Sequence, residues 1–351
     1  MIHMTRYAFG GAAIILLTIS VGYYSYWYHV AEKAKNTVLG YVALGHGQGH
    51  SISYDTLVVE GFPYLIRLKI KDLQWRSALR KAQWEGSEAV VEMQPWDVWR
   101  YHITLPGRHR VKILQSVFGE QLVFEPREAT ALIRFHADGG LAESVLNISA
   151  LRLSGSKEKL LASANKIVVN LEHPKKSEIG LDKALLSISS MIEGLKFPNT
   201  VSVALGESVR SLQFAAHMKR ALPKGFHREH FVRWQAAGGF IDLSWFQIGL
   251  GPLDLKGHGL VGLDQKLRPV LSAVTNIRGF VEAVNALENS KILKPELAAS
   301  MHLAFAALSK TSPTDGEKVL SISLNTRKGR LWIGPFSLYK LDPLNFLPHS
   351  G

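Results

Sequence analysis

Residues 7–28 read YAFGGAAIILLTISVGYYSYWY, 22 positions without a formal charge. A helix buried in a globular core rarely stays uncharged for so long, whereas a membrane-spanning helix must. At 1.5 Å rise per residue such a helix reaches roughly 33 Å, enough for a hydrocarbon core of ~30 Å. The run closes on Tyr23, Tyr24, Tyr26, Trp27 and Tyr28, where an interfacial aromatic belt would lie. Arg6 and Tyr7 mark one end of the span and Lys33 stands beyond the other. A cleaved signal peptide needs small residues before its cut. Here bulky aromatics end the run, and HVAEKAK offers only a poor site around Ala31. The reading is an uncleaved single-pass anchor: residues 1–6 a short cytoplasmic tail, 7–28 a transmembrane helix, 29–50 a membrane-proximal helix and linker. Arg6 and the terminal amine nearly balance Lys33 and Lys35, which Glu32 offsets, so flanking charge does not fix the orientation. A short tail followed by one anchor and the whole body is the layout of a signal-anchor protein. In a bacterium that layout puts the anchor in the inner membrane and the body in the periplasm.

The remaining chain is long enough for about two domains at ~150 residues each. With 46% hydrophobic and 20% charged residues it is not a disordered chain. It contains no cysteine, which excludes disulfides, thiolate nucleophiles, zinc ribbons and iron–sulfur ligation. The formal net charge of +12 favours acidic partners. Beside an anchor those partners are membrane lipids first, with other envelope proteins second and no nucleic acid expected.

Beyond a glycine-rich stretch at 44–50, short runs with period-two alternation dominate. They include 51–59, 64–70, 89–93, 110–114, 121–124, 129–136, 145–153, 166–171, 201–205 and 210–218. GFP at 61–63 interrupts two of them and marks a turn or sheet edge, because proline lacks the ladder donor. Residues 182–195 read as a helix. Near the C-terminus a short helix follows Phe280, a second opens at Pro295 with Leu297, Met301, Phe305 and Leu308 on one stripe, and a hairpin closes the chain around residues 327–329. Many short strands, each with a polar face, predict antiparallel sheet. The expected fold is α+β and mainly β: an N-terminal transmembrane helix followed by curved antiparallel sheets with a few packed helices. Two β-rich subdomains are expected at 51–222 and 223–351.

Chemical motifs are few. GHGLVG at 257–262 has the spacing of a dinucleotide-binding loop, but its glycines lie inside a period-two pattern and no helix follows, so it predicts a strand. His46 and His50 are four apart within a glycine-rich stretch, a poor setting for a metal site. His102, His109 and His136 read as residues of solvated strand faces. Neither a nucleophile elbow nor a Walker loop occurs. The carboxylates Asp97, Glu120, Asp242 and Asp264 form no recognisable pair. No catalytic, cofactor or metal site is therefore expected, and the chain reads as non-enzymatic. The basic stretch HMKRALPKGFHREHFVR offers Lys219, Arg220, Lys224, Arg228 and Arg233 as contacts for anionic head groups. Trp75, Trp84, Trp96 and Trp99 cluster within 25 positions. They suit core or edge packing, or an amphipathic rim against membrane.

Trp234 before AGG at 237–239, FIDLSWFQIGLGPLDLKGHGLVGLD, LRP, IRGF and the closing IGPFSLYKLDPL follow one another in an order that, with VEGFPYLIRL and the anchor, resembles the bacterial family known as domain of unknown function 2125. The resemblance covers nearly the whole chain and carries structural motifs only. It implies an inner-membrane-anchored envelope protein with a β-rich periplasmic body. The strand and glycine texture is also similar to that of AsmA-like envelope proteins, whose long curved sheets form apolar grooves for lipid. The expectation is binding or handling of a lipid or lipid-like envelope component in an apolar groove. A structural scaffold of an envelope complex is the alternative.

Overall fold

The computed structural model describes residues 2–47, 50–77, 82–113, 122–155, 158–175, 185–197, 205–218, 228–313 and 315–344, with side chains for all of these except 2–13, 41–47, 50 and 338. The chain divides into two compact units, Met1–Val111 and Lys112–Gly351.

The first unit opens with one helix, α1 (Ile2–Gly47). It runs through the sequence read as an anchor, the membrane-proximal segment and four residues of the glycine-rich stretch expected to break it. Glycine within a helix costs only about 1 kcal/mol against alanine, too little to stop a helix of this length. Strands β1 (His50–Ser53), β2 (Thr56–Glu60), β3 (Ile66–Ser77), β4 (Ala82–Gln94) and β5 (Asp97–Leu105) follow, and the unit ends at Val111 within β6 (His109–Ile113). β3 is the hub, pairing antiparallel with β1, β2 and β4. Period two sends Ile66, Leu68 and Ile70 to one face, all buried, and Arg67, Lys69 and Lys71 to the other. Register brings Met93, Val91 and Ala89 of β4 opposite the three apolar residues and Glu92 opposite Arg67. Arg67 donates to Glu92 at 2.5 Å, and Lys69 pairs with Glu60 at 2.6 Å. The sheet is therefore amphipathic.

The second unit begins with β7 (Leu122–Glu125), β8 (Glu128–Phe135), β9 (Leu141–Ser154), β10 (Leu160–Glu172), β11 (Leu186–Lys196) and β12 (Ser208–Met218). Helix α2 (Arg228–Ala236) precedes β13 (Phe240–Leu250), β14 (Leu253–Leu263) and β15 (Pro269–Arg278). Helices α3 (Phe280–Asn289) and α4 (Pro295–Leu308) come next, then β16 (Ser309–Thr311), β17 (Lys318–Arg327), β18 (Arg330–Ile333) and β19 (Phe336–Lys340). Each strand from β9 to β15 pairs antiparallel with the next, and β15 then pairs with β17.

The stretch expected to be a helix at 182–195 is strand β11 from Leu186 onwards, while 182–184 lie outside the described residues. Ile188, Ser190 and Ile192 meet Leu171, Val169 and Ile167 on one side and Ala216, Phe214 and Leu212 on the other. Pairing along both edges overrides a weak local preference for helix. The expected subdomain boundary at 222/223 also lies outside the described residues. Met218 and Ile241, on either side of it, pair directly across β12 and β13, so both flanks belong to one sheet. Strand 201–205 lies outside the description up to Leu205, which is a turn residue.

Opposed residues share a face of a sheet, so the register defines what each face presents. Ile148, Ile167, Ile192, Leu212, Ile248, Leu255, Ile277 and Leu320 stand opposite one another in turn from β9 to β17. A second row beside it runs Leu146, Val169, Ser190, Phe214, Phe246, Gly257, Thr275 and Ile322. The other face carries Lys166 opposite Glu193, Asn170 opposite Ser189, Gln213 opposite Gln247 and Asp254 opposite Arg278. One face is mainly apolar; the other is mixed, its polar pairs interspersed with Val168, Met191, Trp245, Leu260 and Val274.

GHGLVG lies in β14, with Gly257 and Gly259 on the apolar face. A Cβ on Gly257 would stand 2.5 Å from the Val274 carbonyl oxygen and 2.8 Å from the Phe246 ring; one on Gly259 would stand 2.4 Å from the Ser272 oxygen and 2.6 Å from Ala273. The glycines give the Phe246 ring and the β15 backbone room to close on β14. Gly259→Ala is expected to destabilise the protein by about 1–3 kcal/mol through overpacking, measured as a lower midpoint in chemical denaturation. An unchanged midpoint would mean that β14 and β15 are not packed this closely.

Candidate functional site

Two surfaces carry the features that composition leaves unexplained, one in each unit. In the first, α1 changes character along its length. Every side chain from Ile14 to Val21 is exposed, and eight successive helical positions sample all directions around the axis. Beyond them, Trp27 and Ala31 are buried against Ile66 and Met93, with Val30, Ala34, Val59 and Tyr101 packed around the cluster. The spacings of three and four place Trp27, Ala31 and Ala34 on one stripe. Polar aromatic atoms fix this dock: the Tyr23 hydroxyl donates to the Pro63 oxygen at 2.6 Å, the Tyr26 hydroxyl to the Pro95 oxygen at 2.8 Å and Trp27 Nε1 to the Leu65 oxygen at 2.9 Å. Phe62 packs its ring on Tyr23, Tyr24 and Trp27 at centroid distances of 6.2, 5.4 and 5.5 Å.

The cluster read as an interfacial belt is thus divided. Tyr23, Tyr26 and Trp27 use their donors to clamp the helix to the sheet. Tyr24 and Tyr28 are exposed and stack on each other at 6.5 Å. Lys33 is exposed one to two turns further on. Arg6 and Tyr7 are on α1, but their side chains lie outside the described residues. Among the described residues, no helix is long and apolar enough to cross a membrane, a statement that leaves membrane-crossing strands aside.

In the second unit the apolar face is unevenly covered. Where α3 and α4 pack over it, Ile277, Leu320 and Ile322 join Phe280, Val284, Met301 and Phe305 in a buried cluster, with Leu255 at its edge. Phe305 stands edge-on to Phe280 at 6.0 Å and to Phe336 at 5.8 Å. No residue of β9–β13 belongs to that cluster. Along the first row, Ile148, Ile167, Ile192, Leu212 and Ile248 are only half-buried, although they lie in the middle of the sheet. Five strands at ~4.8 Å spacing give this stretch, outside the α3/α4 cluster, a width of roughly 19 Å. Bulges at 209–211, 215–216 and 243–246 interrupt its register and increase local twist.

Two depressions among the described residues are of another kind. One of about 580 Å³ is lined by Arg210, Asp254, Arg278, Glu282 and Lys318, and one of about 340 Å³ in the first unit by Asp72, Glu85, Ser87, Arg108 and Arg110. Pro252, Phe280 and Val281 also line the larger one, so its wall is mixed, and the charged groups of both disfavour hydrocarbon beside them. The apolar surface is the open face of the sheet and not either of these hollows.

The basic stretch is partly described. Lys219, Arg220 and Lys224 lie outside the described residues. Arg228 and Arg233 are exposed on α2, and five positions put them about 140° apart around its axis. Trp234, next to Arg233, is buried, and a Cβ on Gly239 would lie 2.3 Å from its indole, which accounts for the second glycine of the AGG motif.

The histidines and carboxylates have structural surroundings. His109, expected on a solvated face, is 2% exposed beneath Gly86, whose absent side chain makes room for the ring. Its Nε2 lies 3.1 Å from the Pro106 oxygen. His102 is exposed, and His136 Nε2 lies 3.0 Å from the His173 oxygen. His46 and His50 have side chains outside the description, as does the whole of Glu120. Among the described residues no group of three or more histidines and carboxylates is placed to hold a metal ion. Asp97 stands 3.7 Å from Arg100 Nε and Asp242 pairs opposite Leu260.

A family match covers residues 27–341, described as "Uncharacterized protein conserved in bacteria (DUF2125)". The chain belongs to the DUF2125 family. The matched span begins at Trp27, the first buried residue of α1 among those whose side chains are described. No curated protein matches the chain. The family's LRP segment here forms a turn built on Asp264, which accepts from the backbone N–H of Lys266 and of Arg268, each at 2.9 Å, and from the Arg268 guanidinium at 2.7 Å. Burial alone would push the Asp264 carboxyl up, but the hydrogen bonds and charge of Arg268, with the Lys266 N–H, outweigh it and hold the group below the usual carboxylate range. A lowered folded-state value means stability that is present at neutral pH and lost as acid protonates the carboxylate in the folded state. Asp264→Asn is expected to cost about 1–3 kcal/mol at pH 7 and to flatten the acid limb of the stability profile, read by denaturation midpoints across pH. An acid limb identical to wild type would show that the turn contributes nothing to it.

Proposed function

We propose that the protein is a single-pass inner-membrane protein with a periplasmic body, and that it binds or handles the acyl chains of a lipid on the open apolar face of β9–β13 without catalysing a reaction. The carrying observation is the cross-strand row Ile148, Ile167, Ile192, Leu212 and Ile248, half-buried on a sheet whose continuation is sealed by α3 and α4. A two-sided sheet normally covers its apolar face with another layer. A face left without one is a site for an apolar ligand or partner. Its width of roughly 19 Å exceeds the ~15 Å that the chains of one leaflet occupy in a ~30 Å hydrocarbon core. Burial there would contribute about 0.8 kcal/mol per methylene.

Support for the anchor comes from the uncharged run 7–28 and from the exposure of the helix on every side between Ile14 and Val21. A helix apolar all round is stable only in an apolar surrounding. The formal charge of +12 favours an anionic membrane surface, and Arg228 and Arg233 remain the described candidates for head-group contact.

Photo-crosslinking in cells separates this reading from its rival. With a photoreactive amino acid at Ile192 or Phe214, on the apolar face, lipid adducts are expected. At Met191 or Gln213, on the polar face, they are not. Protein adducts from Ile192 and Phe214 would instead support an envelope scaffold, and equal lipid labelling from both faces would remove the sheet face as the site.

A further inference from the structure

Two turns of the first unit are held against α1 at one level. Pro63 and Leu65, in the turn between β2 and β3, accept from Tyr23 and Trp27, and Pro95, in the turn between β4 and β5, accepts from Tyr26. Tyr23 to Trp27 covers only about 6 Å of helix axis, so both turns sit where the exposed apolar stretch of α1 ends. Each turn presents large aromatics to the outside, Phe62 at 49% exposed, Tyr64 at 72% and Trp96 at 59%, and Trp99 at the start of β5 is 42% exposed. Trp99 shares a strand face with Tyr101, which packs against the α1 dock, and stands two residues nearer the turn. The turn at 61–65 carries no charge, and the charged residues nearest it, Glu60 and Arg67, pair with each other.

We propose that the turns at 61–65 and 95–96, with Trp99, form a membrane-interface collar that enters the head-group layer beside the anchor and seats the first unit directly on the bilayer. This inference rests on the anchor reading above. The occupant is argued from continuity: Tyr24 and Tyr28, also exposed, connect the collar without a gap to the apolar side chains at Ile14–Val21. Its composition agrees, because tyrosine and tryptophan combine an apolar ring with one polar atom and concentrate at the level of lipid head groups. A collar of this kind would rest the sheet of the first unit on the membrane at two turns besides the α1 dock.

The chain has no cysteine, so single-cysteine variants of the full protein carry one spin label each. Reconstituted in vesicles of phosphatidylethanolamine and phosphatidylglycerol, labels at Leu17→Cys, Tyr64→Cys, Trp96→Cys and Lys71→Cys report depth through their relative accessibility to oxygen and to a nickel chelate. The expected order is Leu17 in hydrocarbon, Tyr64 and Trp96 at head-group depth, and Lys71 in water. Leu17 in hydrocarbon with Tyr64 and Trp96 as wet as Lys71 would overturn the collar and leave the anchor standing. Leu17 in water would overturn the anchor reading and the collar with it. An independent check needs no label: quenching of tryptophan fluorescence by lipids brominated near the head group should fall in W96F/W99F, and unchanged quenching would contradict the collar.

Discussion

Strand register is the constraint on which the second unit depends. Because side chains alternate with period two, a slip of one residue anywhere between β9 and β17 would move every apolar side chain of the slipped strand to the polar face. The observed register instead aligns Ile148, Ile167, Ile192, Leu212, Ile248, Leu255, Ile277 and Leu320 across the sheet. It also places Lys166 against Glu193 and Asp254 against Arg278 on the other side. Apolar contact on one face and polar pairing on the other select the same alignment. The glycines of β14 take part in that selection, since Gly257 lies where the Phe246 ring crosses the strand.

Among the described residues, the same sheet is covered by helices at one end. Over β15 and β17 the amphipathic helices α3 and α4 complete a core of ordinary kind, with aromatic rings meeting edge to face. Over β9–β13 the apolar side chains shield one another only partly. In the first unit α1 shows a comparable division, a stripe docked on Ile66 and Met93 and a stretch exposed all round. Both surfaces are apolar, and lipid is the one surrounding proposed for both.

Much of this organisation could be read in the sequence, for local reasons. Period-two alternation is strong in β3, β9 and β12, and Pro295 with the Leu297, Met301 and Phe305 stripe announces α4. GHGLVG could be assigned to a strand because no helix follows it. What escaped reading depends on partners distant in sequence. β11 has no strong local preference and becomes a strand by pairing on both edges. His109 is buried because Gly86, more than twenty residues away, leaves a space for it. Tyr23, Tyr26 and Trp27 look like belt residues until the carbonyls of Pro63, Pro95 and Leu65 are placed beside them. The apolar row itself is invisible in any single strand, because it exists only across the register.

Native mass spectrometry of the whole protein, extracted from its own membrane in mild detergent, tests the central claim most directly. The account predicts a lipid retained in fixed stoichiometry and lost when Ile192 and Phe214 are both replaced by asparagine in protein that still folds. A mass corresponding to protein alone, unchanged on addition of envelope lipids, would contradict it.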